Sequence, residues 1–334
     1  MEALLQVIDY SITFNQKFDK DGMQSEGVTA VRGLSYQINR GECLAIVGES
    51  GCGKSAGLQG VLALHDKGAS TSGEIFFKEH ALHEFSSIQM EQVRGKKIAV
   101  VFQDPMSALN PTMKIGLQIS EALTKKNKLT KAAKKKAVIQ LLTEVGITDP
   151  EIRYQQYPFE FSGGMLQRVA IAMALAGKPE LIMADEPTTA LDATVQKQVL
   201  TLIKNIQTKN NMALIIVSHD LAVVYEMADR VLVMYAGEMV EQGDVDKVFT
   251  APLHPYTQAL LRSLPKMGEK REKLPTIEGR PPDLSLPIHA CAFVDRCSKA
   301  MNICDQEKPP LILKEKREVR CWLYHERAPK LQGH

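Results

Sequence analysis

No stretch of this sequence approaches the run of about 20 apolar residues that a bilayer-spanning helix needs. Its longest apolar runs, such as Met212 to Val217, are only strand-length. No basic-then-apolar signal peptide opens the chain, and it has no internal repeat and no low-complexity segment. Neither sign of charge dominates. Lys and Arg total 41 against 39 for Asp and Glu, a net charge of +2, so no nucleic-acid-binding stripe is implied and partners have to be argued from sites. These absences lead to the expectation of a cytoplasmic protein, one still able to dock on a membrane protein. Cysteine is scarce, six in 334 residues, and unevenly placed.

What is present is ordinary in bulk and specific in detail. The chain is 44% hydrophobic and 24% charged, as soluble globular proteins are, and long enough for one large core and a smaller one. Gly48, Glu49, Ser50, Gly51, Cys52, Gly53, Lys54 and Ser55 fit the pattern G-x-x-x-x-G-K-[ST]. The apolar run Cys43 to Val47 before it reads as a buried strand, and the residues after it as the start of a helix. Strand, glycine loop and helix form the context of a phosphate site. Glycines let backbone N–H groups converge on the phosphates without a Cβ in the way, and the helix N-terminus adds partial positive charge. Lys54 would reach the β/γ oxygens and Ser55 a Mg²⁺ ion.

A second constellation is Leu181-Ile182-Met183-Ala184-Asp185-Glu186, an apolar strand ending in two carboxylates. Such a strand delivers Asp185 to the carboxyl edge of a sheet, where α/β folds bind ligands. Asp185 suits a Mg²⁺ contact, and Glu186 would orient or deprotonate an attacking water. A third is Phe161 to Arg168, in which Ser162, Gly163 and Gly164 precede a helical run and form a second anion cradle. One phosphate loop and a second cradle in the same chain suggest that two chains share nucleotides between them.

Strands are expected over 4–14, over 28–38 with a break at Gly33, over 43–47, 73–77, 97–103, 181–184 and 213–217, with a polar loop over 15–27. From about 112 to 178 the period is helical: Ile115, Ile119, Ala122 and Leu123 share one face, and Val138, Leu141, Leu142 and Val145 another. Lys125, Lys126, Lys128, Lys131, Lys134, Lys135 and Lys136 read as a solvated helix face, because no aromatics interleave with them. A further helix falls near 193–209. Strands alternating with helices mean a parallel sheet covered on both faces. After about 250 proline becomes frequent and the periodicity weakens.

At the tail, Cys291, Cys297, Cys304 and Cys321 follow a C-x5-C-x6-C-x16-C spacing. In a cytoplasmic chain such a group reads as metal binding before disulfides. Four thiolates suffice for a [4Fe–4S] cluster or for Zn²⁺, and the close C-x2–4-C pairs usual in structural zinc sites are missing. Four buried cysteines without a ligand are the plain alternative.

Taken together, these motifs resemble the ATP-binding subunits of ABC transporters. Gly48 to Ser55 resembles the Walker A motif, Gln103 in Val101-Phe102-Gln103-Asp104-Pro105 the Q-loop, Phe161 to Gln167 the signature, and Leu181 to Glu186 the Walker B motif. Ala190-Leu191-Asp192 resembles the D-loop, His219 the H-loop, and Phe14 the aromatic that stacks on adenine. Phe161 and Met165 replace Leu and Gln of the commonest signature, and Cys52 and Ala56 are less usual. The stretch Phe102 to Pro111, the signature ending in Met165 and His254-Pro255-Tyr256-Thr257 resemble dipeptide and oligopeptide importers, and the Asp104-Pro105-Met106 version of the Q-loop segment narrows the likeness to their D-type ATPase.

The resemblance implies an α/β P-loop nucleotide-binding domain over 1–250, with a helical subdomain at about 105–178, and a small cysteine-containing module over 251–334. It implies ATP hydrolysis powering peptide uptake through a permease, with Glu186, His219 and Gln103 as the catalytic group. Ser55, Gln103 and Asp185 would hold Mg²⁺, and Ser162, Gly163 and Gly164 would act on the ATP of a partner subunit. The partners implied are a second, F-type ATPase, two transmembrane permease subunits, and a periplasmic or extracellular solute-binding protein, but no nucleic acid. The place implied is the cytoplasmic face of the inner membrane. The D-type tail implies a [4Fe–4S] cluster on the four cysteines, with zinc as the alternative. Nickel and glutathione importers share much of the pattern. An ABC ATPase acting on DNA or ribosomes is the distant rival, disfavoured because the chain has a single P-loop and no long heptad insert. A redox or metal-sensing tail that regulates the ATPase also stays open.

Overall fold

The computed structural model describes residues 3–14, 27–66, 68–124, 130–189, 191–263 and 276–328. The loop expected over 15–27 (all but Gly27), Lys125, Lys126, Lys128, and Ala190 of the D-loop lie outside them. The strands in chain order are β1 (Leu5–Phe14), β2 (Val28–Ile38), β3 (Cys43–Val47), β4 (Ser70–Phe77), β5 (His80–Ala81), β6 (Ile98–Val101), β7 (Leu181–Asp185), β8 (Ala213–Val217), β9 (Arg230–Tyr235), β10 (Glu238–Asp244), β11 (Leu311–Lys314) and β12 (Arg317–Arg320). They fall into two compact units. One comprises Met1–Leu5, Ile38–Cys43 and Lys78–Ser218, and the other Gln6–Gln37, Leu44–Phe77 and His219–His334.

In the first unit β6, β7 and β8 pair in parallel, with Ile98 opposite Leu181 and Leu181 opposite Ala213. Every residue of β7 and β8 is buried. A strand with both faces covered needs no polar alternation, which is why these runs are continuously apolar. The helices Ile115–Thr124, Lys131–Glu144 and Gly163–Ala176 pack on one another. Ile115, Ile119, Val138, Leu142 and Val169 are fully buried there. Thr130 caps the lysine-rich helix by accepting from the N–H of Ala133. Lys131, Lys135 and Lys136 face solvent, and the Lys135 ammonium lies 5.7 Å from the Tyr154 ring centroid.

In the second unit β2, β1 and β4 are neighbours in one sheet. Gly33 does not break β2: the strand runs through it at φ +60°, and a Cβ there would lie 2.7 Å from Asp9 Oδ1. A second set of strands begins with β3 parallel to β9. It continues antiparallel through β10 and β12 to β11. Two tight turns make the hairpins, Ala236-Gly237 at φ +50° and +84° and Glu315-Lys316 at φ +53° and +62°. Positive φ at both central residues matches the right-handed twist of the strands.

The tail packs apolar residues of its own. Its hairpin extends the sheet beside β10, and Val319 and Cys321 pack with Leu253 under Ile312, Leu323 and Tyr324. Arg317, 2% exposed, lies 3.6 Å from the fully buried Glu241. It also donates to the carbonyls of Lys247 and Ala251. Glu241 accepts in turn from the N–H groups of Leu253 and His254. Among the described residues no helix is long and apolar enough to cross a membrane.

Candidate functional site

The loop after β3 carries the phosphate-site pattern, and its local geometry follows from its glycines. Gly53 is left-handed at φ +96°, and a Cβ on it would meet the Ala30 carbonyl at 2.1 Å. The helix Lys54–Gly60 starts directly after it. Lys54 is buried, and its ammonium donates to Gly48 O at 2.8 Å and Glu49 O at 3.0 Å. An ammonium has three donors and these carbonyls take two of them, so the side chain is aimed along the inside of the loop. Ser50 and Gly51 are exposed at its tip, Ser55 is half-buried, and Cys52 is buried with its thiol pushed up by that burial. The Cys52 carbonyl accepts from Gly237 N, which ties the loop to the β9–β10 turn.

Asp185 ends β7 and is buried, and Glu186 beside it is half-buried. Glu186 adopts φ +45°, a costly conformation for a residue with a Cβ and one that clusters at working sites. Its N–H is held by the Val217 carbonyl at 3.0 Å. Its carboxylate accepts from Thr189 Oγ1 at 2.8 Å and from Gln103 Nε2 at 3.3 Å. Two donors from different segments thus aim one oxygen, and Gln103 and Glu186 are brought together across 83 residues of sequence. A carboxylate held in this way can orient a water and take its proton.

Ser162 and Gly163 are exposed at the start of the helix Gly163–Ala176, with Gly164 half-buried behind them. Ser162 Oγ caps that helix by accepting from Met165 N. Phe161 is buried, with the Arg153 guanidinium 5.8 Å from its ring centroid. Asp192 caps the helix Ala193–Asn210 through the N–H groups of Thr194 and Val195. His219 is exposed at the end of β8, just before Asp220 caps the helix Leu221–Met227. Phe14, half-buried, ends β1.

Sequence reasoning missed the residues that hold the phosphate loop from outside. The Glu49 carboxylate accepts from Arg296 Nη1 at 2.7 Å and Nη2 at 3.0 Å, a bidentate pair. The Glu49 N–H donates to Tyr256 Oη at 2.9 Å. Tyr235, Tyr256 and Phe293 form a buried aromatic group, with ring centroids 4.7 to 5.4 Å apart. His254 caps the helix Pro255–Arg262 by accepting the Tyr256 N–H on Nδ1, and burial holds its pKa down at about 3. His254-Pro255-Tyr256 was visible as a resemblance, but its partner Arg296 lies 40 residues on with no periodicity to mark it.

Among the described residues no three His, Cys, Asp or Glu side chains are gathered to hold a metal ion. Cys304 and Cys321 are buried and Cys291 and Cys297 half-buried, all with free thiols. Burial, and then the neighbouring cysteines, push Cys291 up to about 11 and Cys321 to about 12. A protonated thiol packs as a small apolar side chain, as Cys321 does against Leu253 and Val319. Backbone hydrogen bonds involve them. Cys291 N donates to Cys304 O at 2.9 Å, and Lys299 N to Cys297 Sγ at 3.4 Å.

Comparison with known proteins agrees with this geometry. Residues 31–189 match the family described as ABC transporter, and residues 240–304 the one described as oligopeptide/dipeptide transporter, C-terminal region. The chain is 48% identical over 333 residues to the oligopeptide transport ATP-binding protein OppD of Bacillus subtilis, covering 98% of this chain and 91% of that one. It is 42% identical over 321 residues to the dipeptide transport ATP-binding protein DppD of Escherichia coli, covering 96% of each. A solved dimeric ATP-binding cassette in a post-hydrolysis state, bound to ADP and Pi, superposes with a TM-score of 0.63 at 25% identity. That match covers 72% of this chain and 98% of the other. The chain therefore belongs to the ABC-transporter family, as an ATP-hydrolysing subunit of its oligopeptide/dipeptide branch.

Proposed function

We propose that this chain hydrolyses Mg-ATP to power the import of short peptides through a membrane permease. The observation that carries the hydrolytic part is Glu186, held by Gln103 and Thr189 next to the buried Asp185. Phosphoryl transfer asks the protein mainly to position groups and neutralise charge. Lys54 and the loop Gly48–Ser55 would cradle the phosphates, with Ser55, Asp185 and Gln103 around Mg²⁺. Glu186 would act on the water, Gln103 and His219 would sense the γ-phosphate, and Phe14 would stack on the base. Exposed Ser162 and Gly163, with Gly164, are set to complete the nucleotide site of a second subunit.

The peptide substrate is carried by the relatives, which are oligopeptide and dipeptide transport proteins along nearly the whole chain. The assembly that follows has an F-type ATPase beside this one, both under two permease subunits on the cytoplasmic face of the membrane, and a solute-binding protein outside. A [4Fe–4S] cluster held by Cys291, Cys297, Cys304 and Cys321 belongs to the same reading. It is supported by four free thiols in the tail, by the Cys291 N–H on the Cys304 carbonyl and by the Lys299 N–H on Cys297 sulfur. Bound there, the group would supply a structural clasp for the tail.

The experiment is ATP turnover by the complex purified with its membrane partners and reconstituted with its solute-binding protein. Short peptides should stimulate turnover, and nickel or glutathione should not. Stimulation by either of those, with no response to peptides, would reassign the substrate.

A further inference from the structure

Glu49 meets three different elements through three different groups. Its carbonyl accepts from Lys54 inside the phosphate loop, its N–H donates to Tyr256, and its carboxylate is gripped by Arg296. The Arg296 side chain is only 5% exposed. It also donates to Tyr235 Oη at 3.2 Å and to the carbonyls of Ile277 and Glu278. A guanidinium buried with this many oriented acceptors has little freedom, so its fork sets where the Glu49 carboxylate sits. Any displacement of Glu49 moves the carbonyl that anchors Lys54.

The position of Arg296 in the chain adds a second link. Arg296 and Phe293 both lie in the short loop between Cys291 and Cys297. Phe293 is buried edge-on against Tyr235, at 5.1 Å and 86°, and against Tyr256, at 5.4 Å and 63°. The loop therefore presents a plug and a clamp to the phosphate loop and is closed at each end by a cysteine.

We propose that Arg296 is a positioning residue for the nucleotide, and that the Cys291–Cys297 loop is the strut through which the tail sets the affinity of the phosphate loop. The proposal rests on the assignment of Gly48–Ser55 as the nucleotide loop. Whatever fixes Cys291 and Cys297 then stiffens the strut, and its loss is felt at the nucleotide.

The test is calorimetric titration of the full-length chain with Mg-ADP, which binds without turnover. Arg296→Ala should weaken binding by about tenfold, within the range usual for coupled sites. Arg296→Lys keeps the charge but not the fork and should fall in between. In Mg-ATP turnover KM should rise more than kcat falls. Combining Arg296→Ala with Cys297→Ser should weaken binding by less than the product of the two single effects, since both act through one strut. Wild-type affinity in a folded Arg296→Ala chain would overturn the proposal. Should that variant not fold, wild-type affinity in Arg296→Lys would do the same. A wild-type chain that fails to bind Mg-ADP would instead remove the nucleotide-loop assignment itself.

Discussion

Gln103 donates from its amide to the Glu186 carboxylate at 3.3 Å, on the oxygen that Thr189 also holds. Two donors from different segments thus hold one oxygen of Glu186, whose backbone sits at a strained φ of +45°. Glu186→Gln should therefore keep Mg-ATP binding while losing hydrolysis by orders of magnitude, since an amide cannot take the proton. Filter binding and phosphate release measured on the same preparation check this. Substantial residual turnover would exclude Glu186 as the base. Lys54→Ala should do the reverse and lose binding first.

Acid stability follows from two groups held below their ordinary range. Burial raises the pKa of Glu180, but hydrogen bonds and charge from Lys78 and Lys97 outweigh it and hold the group at about 2, with Arg40 also paired to it. The stabilisation is thus full above the unfolded value near 4.5 and is lost as pH falls toward about 2. Burial holds His254 neutral, its pKa down at about 3, and its unprotonated Nδ1 accepts from the Tyr256 N–H. Its contribution is full above about 6.5 and drains as pH falls toward about 3. Thermal midpoints measured between pH 7 and pH 3 should decline in both windows. Glu180→Gln should flatten the lower one alone.

Much of this site was legible beforehand for a physical reason. A phosphate loop must have glycines where a Cβ would strike the backbone, as at Gly53 against Ala30. A parallel strand covered on both faces must be apolar throughout, as in β7 and β8. Such constraints are local and leave a mark in sequence. The pairs that were missed are long-range and single. Nothing near Arg296 says that its fork meets Glu49, 247 residues earlier. The strands β9 to β12 escaped because their turns, Ala236-Gly237 and Glu315-Lys316, lack the usual Asn-Gly signal. The cysteine cluster was read from spacing and from the likeness to D-type subunits, and neither sees that Cys321 packs in an apolar group.

The buried pair Arg317 and Glu241 predicts which single change loosens the tail. Glu241→Ala would leave Arg317 with Glu315 as its remaining ion-pair partner and the N–H groups of Leu253 and His254 without their acceptor. Breaking such a pair costs about 3–5 kcal/mol. Glu241→Gln keeps an acceptor oxygen and should cost less. Chemical denaturation of the two variants and the wild type checks the order, and a wild-type midpoint for Glu241→Ala would mean that the pair holds nothing.

The cysteines make the last prediction. Four free cysteines lie in the tail, and small regions are commonly held by a metal. Protein prepared without oxygen should be brown and carry about four irons per chain. Cys297→Ser should then expose the region beyond residue 276 to protease, while the phosphate loop still binds Mg-ATP, though more weakly. One zinc per chain in a colourless preparation would replace the cluster but keep the clasp. No metal at all would leave four thiols packed as apolar side chains, and in that case Cys297→Ser should cost no more than any half-buried cysteine.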